Sequence, residues 1–295
     1  MSEVLVAGLT FPEAPRWRDG KLWFSDFYSH RVLTVDLAGR LETVVEVPQR
    51  PSGLGWRPDG TLLVVSMLDR RVLRVDGGKT HVVADLSAVA TGPCNDMVVD
   101  AAGRAYVGNF GFDLMAGADP APTDLIRIDP DGAVTVAASD LWFPNGTVIT
   151  PDGGTLIVGE TVAARYTQFA IADDGSLGER TVWGQIEPEP SFETFERTLA
   201  ELRFAPDGCA LDAEGCIWSA DAVGGRAARL APGGEIVDVV AGPEGLGVFA
   251  CMLGGEDGRT LLLCSAPDFL EHRRMEVREA VLVTTTVDVP HAGLP

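Results

Sequence analysis

The chain has 295 residues, of which 46% are hydrophobic, and it carries a formal net charge of −20 at pH 7. Such an acidic surface repels phosphate backbones and anionic lipids, so nucleic acid and membrane partners are not expected. No apolar run is long enough to cross a bilayer, and the N-terminal residues lack the basic and then apolar pattern of an export signal. The five cysteines include no C-x-x-C pair and fit reduced thiols, so we expect a cytoplasmic protein.

From the N-terminus onward, the chain repeats one pattern: a glycine, usually after an acidic residue, followed by a short run rich in β-branched and aromatic residues. The pattern occurs six times, at intervals of 40 to 62 residues, at Gly20, Gly60, Gly103, Gly153, Gly215 and Gly258. Further strands follow these runs, as residues 31–36 and 42–47 do in the first repeat. Four short strands in a unit of about 40 residues are typical of one blade of a β-propeller. The sequence therefore predicts an all-β fold, a six-bladed β-propeller formed by a single domain over residues 1–295.

The ring of blades has to close, because an open terminal blade leaves an unpaired strand edge. Residues 4–6 form a strand ahead of the first repeat, and residues 280–284 form a late strand of the last one. We expect these two strands to pair, so that the N-terminal strand closes the ring. A pair of β-sandwiches would not show the six-fold spacing.

Two insertions interrupt the repeats, at residues 110–124 and 186–202. The second is predicted to contain a helix with Ser191 as its N-cap and four apolar residues on one face, namely Phe192, Phe195, Leu199 and Leu202. Long insertions in a compact domain are commonly binding loops or lids. Both are therefore candidate lids.

The innermost strand of each blade lines the central channel and begins shortly before its glycine. Counting back seven residues from the first glycine and eight from the next four gives an oxygen-bearing side chain every time, at Glu13, Ser52, Asn95, Asn145 and Asp207. Equivalent positions in different blades face one another across the channel. These five side chains are therefore predicted to lie at one level around the axis.

Burying carboxylates and amides together costs several kcal/mol, roughly, unless a cation or hydrogen bonds compensate. A set of oxygen ligands suits one divalent cation such as Ca²⁺, Mg²⁺ or Mn²⁺, with Ca²⁺ favoured, and carboxylates also bind Zn²⁺. The alternative is that each Asn or Asp side chain caps a loop through hydrogen bonds to the nearby backbone.

The chain resembles the regucalcin/gluconolactonase/luciferin-regenerating-enzyme family in motifs that cover nearly its whole length in the same order. The matching stretches are residues 11–17 (FPEAPRW), 22–26 (LWFSD), 51–54 (PSGL), 94–96 (CND), 143–146 (FPNG), 206–215 (PDGCALDAEG) and the closing Val289-Pro290-x-x-Gly293. The resemblance implies a six-bladed propeller that binds one divalent cation at the channel mouth and hydrolyses lactones. Related proteins hydrolyse organophosphates or aryl esters.

Residue by residue, the resemblance implies that Glu13, Asn145 and Asp207 are the metal ligands. Asn95 matches a residue near the metal that also contacts substrate, and Asn145 is expected to contact substrate as well as the metal. Asp207 also matches the residue proposed as the catalytic acid and base. The resemblance therefore implies a small-molecule lactone or ester as the partner.

This chain departs from the family's sugar lactonases at Pro93, where those enzymes typically carry an arginine that binds substrate hydroxyl groups. The insertions and the residues before Asn145 add apolar and aromatic side chains, namely Phe110, Phe112, Met115, Trp142, Phe143 and Phe192. We therefore expect a hydrophobic, non-sugar lactone or ester, contacted by Phe110 and Trp142. The alternative is that these rings only pack the insertions onto the propeller.

In the expected reaction, the cation polarises the lactone carbonyl group while Asp207 takes a proton from the attacking water and later gives it to the leaving alkoxide. The sequence leaves open whether Asp207 instead orients a water bound to the cation. No G-x-S-x-G or H-E-x-x-H motif is present, and Cys94 and Cys209 have no histidine at their level to activate them. A propeller that binds a metal or a small molecule without turnover remains the alternative from another class.

Overall fold

The computed structural model describes residues 2–293, which form six four-stranded antiparallel sheets. The first strand, β1 (Glu3–Leu9), belongs to the last sheet. Blade 1 contains β2 (Pro12–Arg18), β3 (Lys21–Asp26), β4 (Arg31–Val35) and β5 (Leu41–Glu46); blade 2 contains β6 (Pro51–Trp56), β7 (Leu62–Ser66), β8 (Arg71–Asp76) and β9 (Lys79–Asp85); blade 3 contains β10 (Cys94–Val99), β11 (Ala105–Asn109), β12 (Thr123–Ile128) and β13 (Val134–Leu141).

The second half of the chain repeats this arrangement. Blade 4 contains β14 (Pro144–Ile149), β15 (Thr155–Glu160), β16 (Arg165–Ala170) and β17 (Thr181–Gln185); blade 5 contains β18 (Pro206–Leu211), β19 (Ile217–Asp221), β20 (Arg226–Leu230) and β21 (Ile236–Ala241); blade 6 contains β22 (Gly247–Gly254), β23 (Thr260–Ala266), β24 (Ala280–Thr286) and β1. The first strand of each blade packs beside the first strands of both neighbouring blades, so β2, β6, β10, β14, β18 and β22 form a closed inner ring. The predicted six-bladed β-propeller is confirmed.

The N-terminal strand closes the ring, as predicted. β1 pairs with β24 in antiparallel fashion, from Glu3 opposite Thr284 to Leu9 opposite Ala280. This pairing covers an edge of β24 that would otherwise be left without hydrogen-bond partners. Blade 6 therefore combines the two ends of the described chain.

The six repeated glycines mark the turn between the first and second strands of each blade. All six have a positive φ, between 71° and 85°. A glycine adopts this left-handed backbone without the steric penalty that other residues incur. The repeat that is visible in the sequence thus reflects one turn conformation, used once per blade.

The strands of a blade differ in burial according to their distance from the channel. The second strand β7 (LLVVS) is buried at every position, because neighbouring blades cover both of its faces. The outermost strand β5 (LETVVE) is largely exposed. The apolar core therefore lies between the blades and around the inner strands.

The helix in the second insertion begins later than predicted. α1 (Phe195–Glu201) has Thr194 as its N-cap, and the Thr194 side chain accepts a hydrogen bond from the backbone N–H of Arg197. The N–H of Ser191 instead donates to the Glu201 carboxylate at 2.7 Å. Ser191 therefore lies alongside the helix, and its assignment as the N-cap was wrong.

A third long connection, residues 267–279 between β23 and β24, contains α2 (Glu271–Glu276) and was not predicted. Its Glu271 carboxylate pairs with the buried Arg50 guanidinium at 2.6 Å, and its Phe269 carbonyl accepts a hydrogen bond from the Tyr28 hydroxyl at 2.6 Å. These contacts attach the connection to blades 1 and 2. Within residues 2–293, no helix has the length and apolar character needed to span a bilayer.

Candidate metal and active site

The residues predicted from the sequence lie at one level of the channel. Each is the second residue of an innermost strand, and the set is Glu13, Ser52, Asn95, Asn145 and Asp207. All five line one cavity of about 140 Å³ at the end of the channel where these strands begin. We call this end the mouth.

A β-bulge occurs in the inner strand of blades 1 to 5 at or just after this level. In blade 4, for example, Pro144 pairs with Glu160 and Thr147 pairs with Val158, so two residues of β14 face one residue of β15. A bulge interrupts the alternation of side chains and bends the strand, which changes the direction of the side chain. The same irregularity recurs in blades 1, 2, 3 and 5.

Neighbouring inner strands approach one another closely beside the site residues. A Cβ atom on Gly146 would lie 2.1 Å from the Asp207 carbonyl oxygen, and one on Gly53 would lie 2.5 Å from the Met97 backbone nitrogen. Only glycine allows backbones to come this close. These glycines directly follow Ser52 and Asn145, so the sequence allows the site residues of adjacent blades to converge.

Buried carboxylates at the ends of the second strands hold the loops that lead into the site. Asp26 accepts the backbone N–H of Phe11 at 2.9 Å, and Glu160 accepts the N–H of Trp142 at 2.8 Å. In blade 5, Asp221 accepts the backbone N–H of Ala205 at 3.2 Å. This role of the three carboxylates was not predicted from the sequence. Their signal was an acidic residue at the end of the second strand, 13 to 15 positions after the site residue.

Hydrogen bonds fix two of the proposed ligands relative to each other. The Asn145 side-chain amide donates to the Asp207 Oδ1 atom at 2.6 Å and to the Thr161 hydroxyl at 3.2 Å. The Thr161 hydroxyl in turn donates to the Pro206 carbonyl at 2.7 Å. Because the Asn145 nitrogen is used in this way, its Oδ1 atom is the one that remains to bind a cation.

Beside Glu13 and Asp207 lies a buried ion pair that was not predicted from the sequence. The Arg16 guanidinium donates to the Asp96 carboxylate at 2.7 Å and to the Met97 carbonyl at 2.8 Å, and both charged side chains are buried. Glu13, Asp96 and Asp207 line the cavity, whereas Arg16 is the cation that partners Asp96. Three carboxylates and one guanidinium leave two negative charges when all are ionised, which is the charge that a divalent cation neutralises.

Burial raises the pKa values of all three carboxyl groups. Burial raises the pKa of Glu13 well above its usual value, and the nearby charge of Asp207 raises it further. Burial likewise raises the pKa of Asp207 to about 8, although the hydrogen bond from Asn145 opposes the shift. The pKa of Asp96 is also raised by burial, against the effect of Arg16. A nearby cation would favour the ionised form of all three groups.

The buried side chain of Asn95 has hydrogen-bonding groups that the protein itself leaves unused. Both polar atoms of its buried side chain lack a hydrogen-bond partner within the described part of the protein. Buried amides are normally hydrogen-bonded, because an unsatisfied polar group costs about 1–3 kcal/mol. Asn95 lines the cavity and can satisfy these atoms with a bound molecule.

The residues present fit a hard cation, though with few ligands. In residues 2–293, no group of three or more His, Cys, Asp or Glu side chains is placed to hold a metal ion. A cation at the mouth would therefore be held by Glu13 and Asp207 together with the amide oxygen of Asn145. All three supply oxygen, the donor that Ca²⁺ and Mg²⁺ prefer.

Above the polar residues, the cavity walls are apolar and aromatic. Phe110 and Phe143 line the cavity with their ring centroids 4.3 Å apart, and Phe11 packs on Phe249 at 4.7 Å. Trp142 is not among the lining residues. Its ring stacks on that of Phe192 with the centroids 3.7 Å apart and the planes 8° from parallel.

Phe112 and Pro93, which were also expected at the cavity, do not line it. Phe112 is buried and packs edge-on against Phe143, at 6.0 Å between centroids. Pro93 does not line the cavity, and its carbonyl accepts the N–H of Phe110 at 2.9 Å. Of the predicted aromatic and apolar residues, Phe110, Met115 and Phe143 line the cavity itself.

The cysteines near the site are inert. All five are free and buried. Burial raises the pKa of Cys94 and that of Cys209 to about 12, so both thiols remain protonated at neutral pH. Since the thiolate is the nucleophile, neither residue is prepared for covalent catalysis.

Comparison with known proteins agrees with the fold and the motifs. Residues 11–267 match the family model described as SMP-30/Gluconolactonase/LRE-like region. A 6-deoxy-6-sulfogluconolactonase of Pseudomonas putida is 27% identical, over 86% of this chain and 82% of the relative. A pentonolactonase of Haloferax volcanii is 28% identical, over 76% of this chain and 71% of the relative.

Among solved structures, the chain is similar to a protein described as a calcium-binding protein, regucalcin, from Agrobacterium tumefaciens. The TM-score is 0.80 at 22% identity, and the match covers 100% of this chain and 96% of the other. This likeness concerns the fold.

Proposed function

The chain belongs to the SMP-30/gluconolactonase/LRE-like family, and we propose that it is a divalent-metal-dependent lactonase acting on a hydrophobic, non-sugar lactone. The observation that carries the proposal is the convergence of Glu13, Asn145 and Asp207 at the polar end of an otherwise apolar cavity. The names of the two lactonase relatives support the reaction type. Ca²⁺ is the cation we favour, since all three donors are oxygen atoms.

Each polar residue is assigned one part of the reaction. Glu13, Asn145 and Asp207 would hold the cation, and its positive charge would supply polarisation of the lactone carbonyl group. Because Asn145 holds Oδ1 of Asp207 at 2.6 Å, we assign proton transfer to Oδ2. That atom takes a proton from the attacking water and returns it to the alkoxide that leaves when the ring opens. Asn95 contacts the substrate through its two unpartnered polar atoms.

The apolar walls support a non-sugar substrate. A sugar lactone presents several hydroxyl groups, and each needs a hydrogen-bond partner when it is buried. Here the walls are formed by residues such as Phe110, Phe143 and Phe249. Among the described residues that line the cavity there is no Lys, Arg or His side chain, so the sulfonate group implied by the name of the Pseudomonas relative would have no cationic partner.

A pH-stat panel of sugar, aliphatic and aromatic lactones tests the proposal, with metal-stripped protein before and after addition of Ca²⁺, Mg²⁺, Mn²⁺ or Zn²⁺. We expect turnover of apolar lactones only with a cation, and loss of it in Asp207→Asn. The matched control is Asp59→Asn, which alters an exposed turn carboxylate whose role is to accept the Thr61 N–H. Hydrolysis of aryl esters or organophosphates in place of lactones would overturn the substrate assignment, and silence towards all of them would indicate a non-catalytic binding protein.

A further inference from the structure

Three large apolar side chains at the mouth are exposed and also line the cavity. Met115 in the first insertion is 44% exposed, Leu199 on α1 is 42% exposed, and Val223 between β19 and β20 is 49% exposed. They come from three separate connections, so no single local segment accounts for them. We call these three residues the rim.

The rim continues the walls of the cavity outward. Leu202 and Phe110 also line the cavity, and both are buried. Leu202 directly follows the helix that carries Leu199, and Phe110 begins the insertion that carries Met115. A hydrogen bond from the Phe195 N–H to the Asp119 carboxylate, at 3.0 Å, joins the two insertions. An apolar surface therefore runs from the polar residues to solvent.

The wall has no group that would bind a charge. The polar lining residues are concentrated at the starts of the inner strands. Among the described residues that line the cavity, none is Lys, Arg or His. Tyr28 also lines the cavity, and its hydroxyl donates a hydrogen bond to the Phe269 carbonyl. A buried charge without a partner is strongly unfavourable.

We propose that the substrate is an amphipathic lactone that carries an uncharged apolar chain. The ring lies at the polar end of the cavity, beside Asn95 and Asp207, and the chain lies along the apolar wall and reaches the rim. This inference rests on the proposed function and specifies its substrate class. The bound chain would cover the rim side chains, which are otherwise exposed to solvent.

The inference predicts how the specificity constant depends on chain length. Each methylene group removed from water favours binding, so kcat/KM should rise about two- to fourfold per added methylene. The rise should stop once the chain extends beyond the rim. A carboxylate at the end of a chain too short to reach solvent should abolish the gain.

The experiment measures kcat/KM of the metal-loaded enzyme for δ-lactones with unbranched substituents from methyl to nonyl. The readout is the ratio of kcat/KM for nonyl to that for methyl. Leu199→Ser and Met115→Ser should each lower this ratio at least threefold. The matched control Val82→Ser, at a 57% exposed position on the outermost strand β9, should leave it unchanged.

The outcomes separate this inference from the proposed function. A rising series that flattens in the rim variants supports the inference. Equal kcat/KM for all chain lengths, or equal losses for short and long substrates in the rim variants, overturns it while the lactonase assignment stands. No turnover of any lactone, including unsubstituted δ-valerolactone, overturns the proposed function itself.

Discussion

Replacing Gly146 with alanine should damage the site by separating two inner strands. The added Cβ atom would lie 2.1 Å from the Asp207 carbonyl oxygen and 3.0 Å from the Cys209 nitrogen. Ordinary contact requires about 3.5 Å, so the Asp207 backbone and the Gly146 backbone have to move apart by roughly 1.4 Å. A misplacement of that size costs about a hundredfold in rate. The overpacking itself should destabilise the fold by about 1–3 kcal/mol.

The assay compares kcat/KM and cation affinity of Gly146→Ala with those of Gly154→Ala. Gly154 lies in the same blade, has an ordinary φ, and its added Cβ would meet its nearest neighbour, an Asp152 carboxylate oxygen, at 3.4 Å. We expect Gly154→Ala to retain the wild-type values. Thermal unfolding of both variants shows whether Gly146→Ala is folded. A folded Gly146→Ala protein with wild-type activity and cation affinity would refute the argument that strand approach sets the ligand positions.

Three further substitutions test the surroundings of the site. Glu160→Gln leaves Arg165 and Arg180 facing a neutral group and should cost about 3–5 kcal/mol at pH 7. Burial raises the pKa of Glu160, but hydrogen bonds from Arg165 and Thr167 outweigh it and lower the pKa overall. The stabilising effect of the ionised group is therefore fully present above about pH 4.3 and is lost as the pH falls through the folded-state pKa, so denaturant titrations should show a smaller difference from wild type at pH 3.5 than at pH 7. Asn95→Ala removes two polar atoms that have no partner in the described structure; we expect little change in unfolding temperature but a ten- to hundredfold loss of kcat/KM, roughly, and a marked drop in unfolding temperature would contradict this account. Arg16→Met leaves Asp96 buried without its cation, so calorimetric scans should show a less stable metal-free protein and a larger upward shift on adding the cation than in wild type; an equal shift would indicate that Arg16 does not contribute to the charge balance.

Features that each blade repeats could be predicted from the sequence. The turn glycines recur because every blade needs the same left-handed turn, as Gly60 and Gly103 show with φ values of 85° and 83°. The site residues could be located from these glycines, because each inner strand starts at a nearly constant distance before its glycine. The closing strand β1 followed from the requirement that no edge remain unpaired.

Features formed by contacts between distant residues could not be predicted. The Arg16–Asp96 pair joins residues 80 positions apart, and nothing in either local sequence identifies the other. The N-cap of α1 is Thr194 and not Ser191, because both residues are suitable caps and only packing decides between them. Trp142 was predicted at the cavity from its position beside Asn145, but whether it faces the cavity or Phe192 depends on where the insertion folds.

Metal dependence can be measured on a single protein sample as the hydrolysis rate of one apolar lactone, followed by pH-stat. The rate is recorded first as purified, then after chelation and dialysis, and finally after addition of one equivalent of Ca²⁺. We expect chelation to abolish the rate and the single equivalent to restore it, because one divalent cation balances the carboxylates around Glu13 and Asp207. An undiminished rate in the metal-free protein would contradict this expectation.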